Sequence, residues 1–330
     1  MSEYEIEPLD LSGLKTIPIR ERGGKVRLEH FAKPYQGGGV AGWLDTLPRL
    51  LAADGLRAVI EAIEAARAAG KPILWGMGGH AIKCGLAPVL IDLMRRGFAT
   101  AFATNGSGAI HDFEMAIAGA TSEDVETVLP DGRFGVAEET GREMNEAIVQ
   151  GVRDSLGMGE ALGRWLAVRQ ASARSDASLV AQASACADAS LLLAAYRNRT
   201  PVTVHVAIGT DTPHTHPAAD PAAIGRATHR DFRLFCRLVS QLDSGGVYLN
   251  LGSAVVMPEV FLKAVSVVRN LGGRLENFTT VNLDFFPHYR PRVNVIERPH
   301  ARSGGRGIAI TGHHELMVPL LAAALIERQS

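Results

Sequence analysis

One pattern constrains this chain more than any other. Short, continuous apolar runs, each closed by a small polar turn, alternate with helical stretches. Residues 72–75 run into Gly76-Met77-Gly78-Gly79, and 98–103 into Asn105-Gly106-Ser107-Gly108. The unit returns at 202–208 before Gly209-Thr210-Asp211 and at 247–251 before Gly252-Ser253. It appears again at 278–283 before Asp284 and at 307–311 before Gly312. Strands that are apolar on both sides need cover on both faces, which is the habit of parallel sheets. Between the runs, 54–69 carries Leu56, Val59, Ile60, Ile63 and Ala66 at helical spacing and stops at Gly70. Residues 87–94 and 110–118 also read as helices. The expected fold is α/β: a parallel sheet with helices on both faces, Rossmann-like. In such sheets a ligand lies beyond the carboxyl ends of the strands, and here those ends carry Gly, Ser, Thr, Asn and Asp.

Composition excludes more than it identifies. The chain has 330 residues, 46% hydrophobic and 21% charged, with a formal net charge of −1. That balance supplies no field for nucleic acid or an anionic membrane surface. No apolar stretch reaches the roughly 18 residues of a membrane helix. The acidic start, MSEYEIEPLDLSG, lacks a signal-peptide core, so a cytoplasmic location is expected. Cys84, Cys186 and Cys236 are widely spaced and odd in number, which favours buried thiols over a disulfide framework or a cysteine zinc site. Residues 1–40 read as irregular, with the triple glycine of KPYQGGGV as a loop, and 41–330 as a single α/β domain. The Ala- and Ser-rich part of 151–200 reads as a helical pair.

Three clusters at strand ends are candidates for chemistry. GMGGHAIKCG (76–85) and TNGSGAIHDFE (104–114) put glycines where a backbone can approach a ligand and a helix can offer N–H groups to a phosphate. Glycine also punctuates such turns for structural reasons, and neither cluster is a G-x-G-x-x-G fingerprint. IGTDTPHTHP (208–217) holds Asp211, His214 and His216. Pro213 and Pro217 favour extended backbone, on which His-x-His turns both imidazoles to one side, as zinc or another divalent metal requires. Capping and loop hydrogen bonding are the alternative for these side chains. After the last strand comes His313-His314-Glu315. Glu315 suits a helix N-terminus; one of the two histidines can reach the site edge, with a solvated or capping role as the leading reading.

The loop TNGSGAIHDFE, the following ATSEDV, the loop IGTD, the run VYLNLGSAVV and the final strand with its PLLAAAL helix resemble the deoxyhypusine synthase family. The resemblance covers residues 70–325, with weakly matching stretches, and is closer to uncharacterised bacterial and archaeal relatives than to the authentic enzymes. It implies NAD lying across the strand ends and a homo-oligomer, tetramer or dimer, with sites between subunits. By the same resemblance Gly79, Thr104, Gly106, Ser107, Gly108, Asp112 and Asp211 fall on cofactor-binding positions. Three departures stand out. The family's paired glutamates meet Ile110 and His111, its Lys-His-His meets Met257, Pro258 and Glu259, and its Trp-Gly-Lys has no counterpart.

The leading expectation is an NAD-dependent transferase or oxidoreductase on a small, amine-bearing metabolite. His80, His111 or His214 would be its acid or base, because imidazole titrates near neutrality. A metal-dependent hydrolase or lyase using Asp211, His214 and His216 is a second reading, and a nucleotide-binding module without catalysis a third. The family's imine route to deoxyhypusine is not expected. It needs an amine nucleophile, and the lysines are Lys15, Lys25, Lys33, Lys71, Lys83 and Lys263, none of them between the last two strands. That stretch carries Arg290, Arg292, Arg298 and Arg302 instead, and a guanidinium stays protonated. Lys83, in the first glycine loop, would have to reach the reacting carbon from the opposite loop.

Overall fold

All six apolar runs become strands: β1 Ile73–Met77, β2 Ala101–Asn105, β3 Val202–His205, β4 Val247–Leu251, β5 Thr279–Asp284 and β6 Arg306–Thr311. The computed structural model describes residues 3–173, 186 and 188–328. Its strands pair in parallel in the order β3-β2-β1-β4-β5-β6. The chain winds outward from β1 to one edge, returns, and winds outward from β4 to the other. The reversal falls between β1 and β4, where Met77 pairs with Leu251. At such a switch point the connections diverge and a crevice opens.

Helices cover both faces. Before β1 lie α1 Gly39–Thr46 and α2 Leu51–Ala68, and between β1 and β2 lie α3 Gly79–Lys83 and α4 Ala87–Arg95. The β2–β3 excursion holds α5 Gly106–Ala118, α6 Val125–Val128, α7 Glu138–Arg153, α8 Met158–Ala173 and α9 Leu191–Asn198. Helices α10 Pro221–Ser240, α11 Val256–Asn270 and α12 His314–Glu327 follow β3, β4 and β6. The expected helical pair in 151–200 corresponds to α8 and α9; residues 174–185 and 187 lie outside the described residues. From residue 3 to 38 there is one short 3-10 turn, Leu28–His30, and every residue but His30 is exposed. No described helix is long and apolar enough to cross a membrane.

Alternation along the strands sorts the core into two layers. Ile73, Trp75, Leu249 and Val281 pack with Ile60 of α2, Leu90 of α4 and Leu321 of α12. Leu74, Ala101 and Tyr248 face Phe235 of α10 and Phe261 of α11. Tyr248 stacks on Phe261 with ring centroids 3.9 Å apart. Its hydroxyl lies 2.2 Å from where a Cβ on residue 76 would be, so only glycine fits there. Asp231 of α10 accepts from Gly159 N at 3.0 Å and Val204 N at 2.8 Å, tying the start of α8 to the edge strand. Burial pushes its carboxyl up to about 7.

His205, at the end of β3, meets Phe235 edge-on at 5.4 Å and hydrogen-bonds Thr203. Burial lowers its pKa from 6.5 to about 3. The unfolded chain therefore takes up a proton that the fold refuses. Its stability contribution is intact above pH 6.5 and is lost as the pH falls below it. Replacing His205→Gln should lift the variant by about 3 kcal/mol relative to wild type between pH 7 and pH 4, read by urea unfolding at both pH values. A stability difference that does not change with pH would show that another group titrates.

Candidate functional site

The turns after β1, β2 and β3 converge on the first turn of α5. Asn105, the last residue of β2, caps that helix by accepting from Gly108 N at 3.0 Å. A Cβ on Gly106 would lie 2.1 Å from Asp211 Oδ2, so the carboxylate rests directly on the helix start. A Cβ on Gly79 would lie 2.2 Å from Ser107 Oγ. Gly79, Gly106, Ser107 and Asp211, expected together, are thus neighbours drawn from three loops. Thr104 is buried behind them, its hydroxyl against Gly108 and without a partner.

Beside this junction is a cavity of about 210 Å³ whose wall includes Lys83, Ser107, His111, Glu114, Thr210 and Asp211. Asp211 Oδ2 is buried with no hydrogen-bond donor. Burial pushes its carboxyl up to about 6, while the positive end of α5 pulls the other way. Lys83 is on the same wall, and it is the one lysine lining the cavity.

His111 is held in a chain of hydrogen bonds. Thr121 Oγ1 donates to Glu114 Oε2 at 2.5 Å, since a carboxylate only accepts. The same hydroxyl lies 2.7 Å from His111 Nδ1 and has only its lone pairs left to offer. His111 therefore carries its proton on Nδ1, an assignment made from the network, and presents a lone pair at Nε2. Thr140 Oγ1 holds the other oxygen of Glu114 at 3.1 Å. Burial first, then the Lys83 charge, lowers the His111 pKa against the pull of Glu114, so the imidazole is neutral at neutral pH. A neutral, oriented imidazole at a cavity wall is equipped to take a proton. The sequence singled out His111; Glu114 and Thr121, its supports, it did not.

Other expectations change. Asp112 does not face the cavity. It is buried and accepts from Ser190 Oγ at 2.7 Å, Leu191 N at 2.7 Å and Leu192 N at 2.9 Å, capping α9. Five residues after Ser107, about 1.4 turns of helix, its side chain projects to a different side of α5. The His-x-His segment is not extended: Thr212–Thr215 is a 3-10 turn. His214 Nδ1 accepts from Gly209 N, His216 pairs with Glu138 at 3.2 Å, and Asp211 turns to α5. The three do not form a ligand set, and no group of three His, Cys, Asp or Glu suited to a metal occurs among the described residues.

At the switch point a second cluster forms, and His314 is its centre. Gly252 has φ +60, and a Cβ there would lie 2.6 Å from His314 Cε1. Far from being solvated, His314 is buried, with Nε2 3.3 Å from the Leu283 carbonyl oxygen and 3.7 Å from Asp284 Oδ1. Its Nδ1 has no partner. Exposed His80 lies 5.4 Å away, ring to ring, and approaches Cys84 Sγ at 3.2 Å. Burial pushes the Cys84 thiol up, with Glu315 adding to it, which disfavours a thiolate.

No protein-family model and no curated protein matches the chain. Among solved structures it is similar to the ternary complex of AgrE with ornithine and NAD+, at a TM-score of 0.50 and 17% identity over 86% of this chain and 35% of that one. ArgZ, an arginine dihydrolase of the ornithine–ammonia cycle in cyanobacteria, gives a TM-score of 0.48 at 17% identity over 85% and 34%. A candidate deoxyhypusine synthase from Entamoeba histolytica gives 0.46 at 12% identity over 86% and 91%. The chain spans little more than a third of AgrE and ArgZ. At these identities the likeness is one of fold, a Rossmann-like α/β sheet.

The cap at Asp112 is open to test. Asp112→Ala strands three donors and should cost about 3 kcal/mol in urea unfolding. Asp112→Asn, which keeps an acceptor, should cost less and leave any thermal shift by NAD unchanged. Loss of that shift in a stable Asp112→Asn variant would return Asp112 to the cofactor site.

Proposed function

We propose that this protein binds NAD across its strand ends and is an enzyme, a transferase or oxidoreductase, acting on a small amine-bearing metabolite. In this reading it is related to deoxyhypusine synthases without making deoxyhypusine. The observation that carries it is the chain Glu114–Thr121–His111 opening onto the cavity that Asp211 also lines. A base, a free carboxylate acceptor and a closed helix start stand together at the edge where open α/β sheets take their ligands. Similarity in fold to an NAD+-bound protein supports the choice of cofactor.

The residues suit a dinucleotide. Asp211 Oδ2 needs a donor, and a ribose diol supplies two. A phosphate at the same spot would meet the carboxylate and be repelled. Bound NAD supplies a hydride acceptor. His111 Nε2 then removes a proton, and Glu114, through Thr121, favours the imidazolium that results. Glu114, Glu123 and Asp211 give the cavity a negative wall, which favours a protonated amine.

Two experiments bear on this. NAD at millimolar concentration should raise the melting temperature by mass action, and Gly106→Val should abolish the rise, because its side chain displaces Asp211. No rise with any adenine dinucleotide would overturn the cofactor. Borohydride reduction with spermidine and NAD should trap no lysine adduct. An adduct mapped to Lys83, the lysine on the cavity wall, would instead mean that an imine route survives from a new position.

A further inference from the structure

Away from the strand ends, α7 and α8 enclose a cavity of about 430 Å³ between them. The two helices touch next to their connection, where a Cβ on Gly151 would lie 2.3 Å from the Ala161 Cβ. Further along, Trp165 Nε1 donates to Glu143 at 3.2 Å, and Arg169 Nη1 donates to both oxygens of Glu143 at 2.7 and 3.0 Å. Between these contacts Ala147 and Ala161 supply only methyl groups, which leaves space beside the Trp165 and Val168 side chains. No residue of this wall lines the strand-end cavity. Thr140, which holds Glu114, stands three residues before Glu143 on the same helix.

The charged groups of this wall are Arg142, Arg164 and Arg169 against Glu143, a net charge of +2. Glu143 is buried, its side chain 5% exposed. A buried carboxylate is costly unless it is paired, and here the pairing engages a single nitrogen of Arg169. Arg142 is taken up by Glu138 and Glu146, both outside the wall. Arg164 meets half-exposed Asp154 through Nη2 alone, at 2.6 Å. The Nε and Nη1 groups of Arg164, and the Nε and Nη2 groups of Arg169, make no hydrogen bond among the described residues. A mostly apolar cavity with a few convergent donors is the make-up of a small-molecule site, and its volume falls in the range of about 300–1,000 Å³ that such sites occupy.

We propose that the cavity between α7 and α8 binds an organic carboxylate with an apolar body. The carboxylate takes the open N–H groups of Arg164 and Arg169, in the planar pairing that guanidinium favours. The hydrocarbon covers Ala147, Ala161, Val168 and the Trp165 ring. Two features narrow the class. A neutral ligand would desolvate the arginines without pairing them. A dianion such as a phosphate monoester would bring a second negative charge beside Glu143 and be repelled. This inference is independent of the cofactor reading.

The test is calorimetric titration of the full chain with hydrocinnamate, and with hydrocinnamyl alcohol as its neutral counterpart. The acid should bind once per chain, and the alcohol at least about 10-fold more weakly, since it cannot pair with a guanidinium. Emission from Trp165, taken as the difference from a Trp165→Phe variant, should change along the same isotherm. Arg164→Gln, which gives up only the contact with Asp154, should weaken the acid about 10-fold. Val168→Asp places an anion on the wall at a side chain that is 63% exposed. It should abolish binding of the acid with the far-ultraviolet dichroism of the fold retained. No heat with the acid at millimolar concentration, an alcohol that binds as well as the acid, or acid binding that survives Val168→Asp would each overturn the proposal.

Discussion

The carboxylate of Asp112 holds the site from behind. It leaves α5 and takes the hydroxyl of Ser190 and the N–H groups of Leu191 and Leu192 at the head of α9. A buried anion with three donors cannot give up one of them cheaply. Helix α5 is therefore fixed in rotation, and everything at the cavity hangs on that rotation. Its first turn carries Gly106 and Ser107 against Asp211 and Gly79, and the same helix carries His111 and Glu114. A turn of α5 by a few tens of degrees would bury His111 and open the contact between Gly106 and Asp211.

Three aspartates show how differently this fold treats the same group. Asp231 and Asp112 are the more deeply buried, and backbone N–H groups answer both. Both carboxyls are nonetheless pushed up, Asp112 to about 6 and Asp231 to about 7, because desolvation outweighs the hydrogen bonds. Asp211 is less buried and has an oxygen with no donor at all. A structural carboxylate is normally satisfied; Asp211 lines the cavity with one buried oxygen left without a donor. That difference in satisfaction, rather than any shift in pKa, separates the supporting aspartates from the one that lines the cavity.

Much of this architecture was legible in the sequence. The six apolar runs and their polar turns gave the strands and the edge because period and turn chemistry are local properties. Register with neighbouring strands moved the boundaries by a few residues, as at β3, which stops at His205 where the run continued to Ile208. Side-chain direction was the harder matter. Asp112 and His111 are adjacent in sequence, yet on a helix adjacent residues face different ways. Only the packing of α9 decides which one meets the cavity. His314 follows the less favoured of the two readings its position allows, the site edge over solvent, because Gly252 and Leu283 enclose it. The His-x-His segment failed on backbone shape, since Pro213 sits early in a 3-10 turn where its fixed φ is compatible.

The connection between β5 and β6 ties the chemistry of the edge to its surface. An amine nucleophile there would have to be held, neutral, among groups that lower its pKa. The segment instead has arginines over a π-helical turn, Pro291–Glu297, packed by Val293 and Val295 against the sheet. Guanidinium groups do not act as nucleophiles, but they pair in a plane with carboxylates and lie over aromatic rings, as Arg292 does over Tyr289. Such a surface is suited to recognition rather than to covalent chemistry. Phe285 stands at its inner end, against His80 and His314 at 5.6 Å and 5.7 Å. The start of this connection therefore borders the switch point directly, through Phe285.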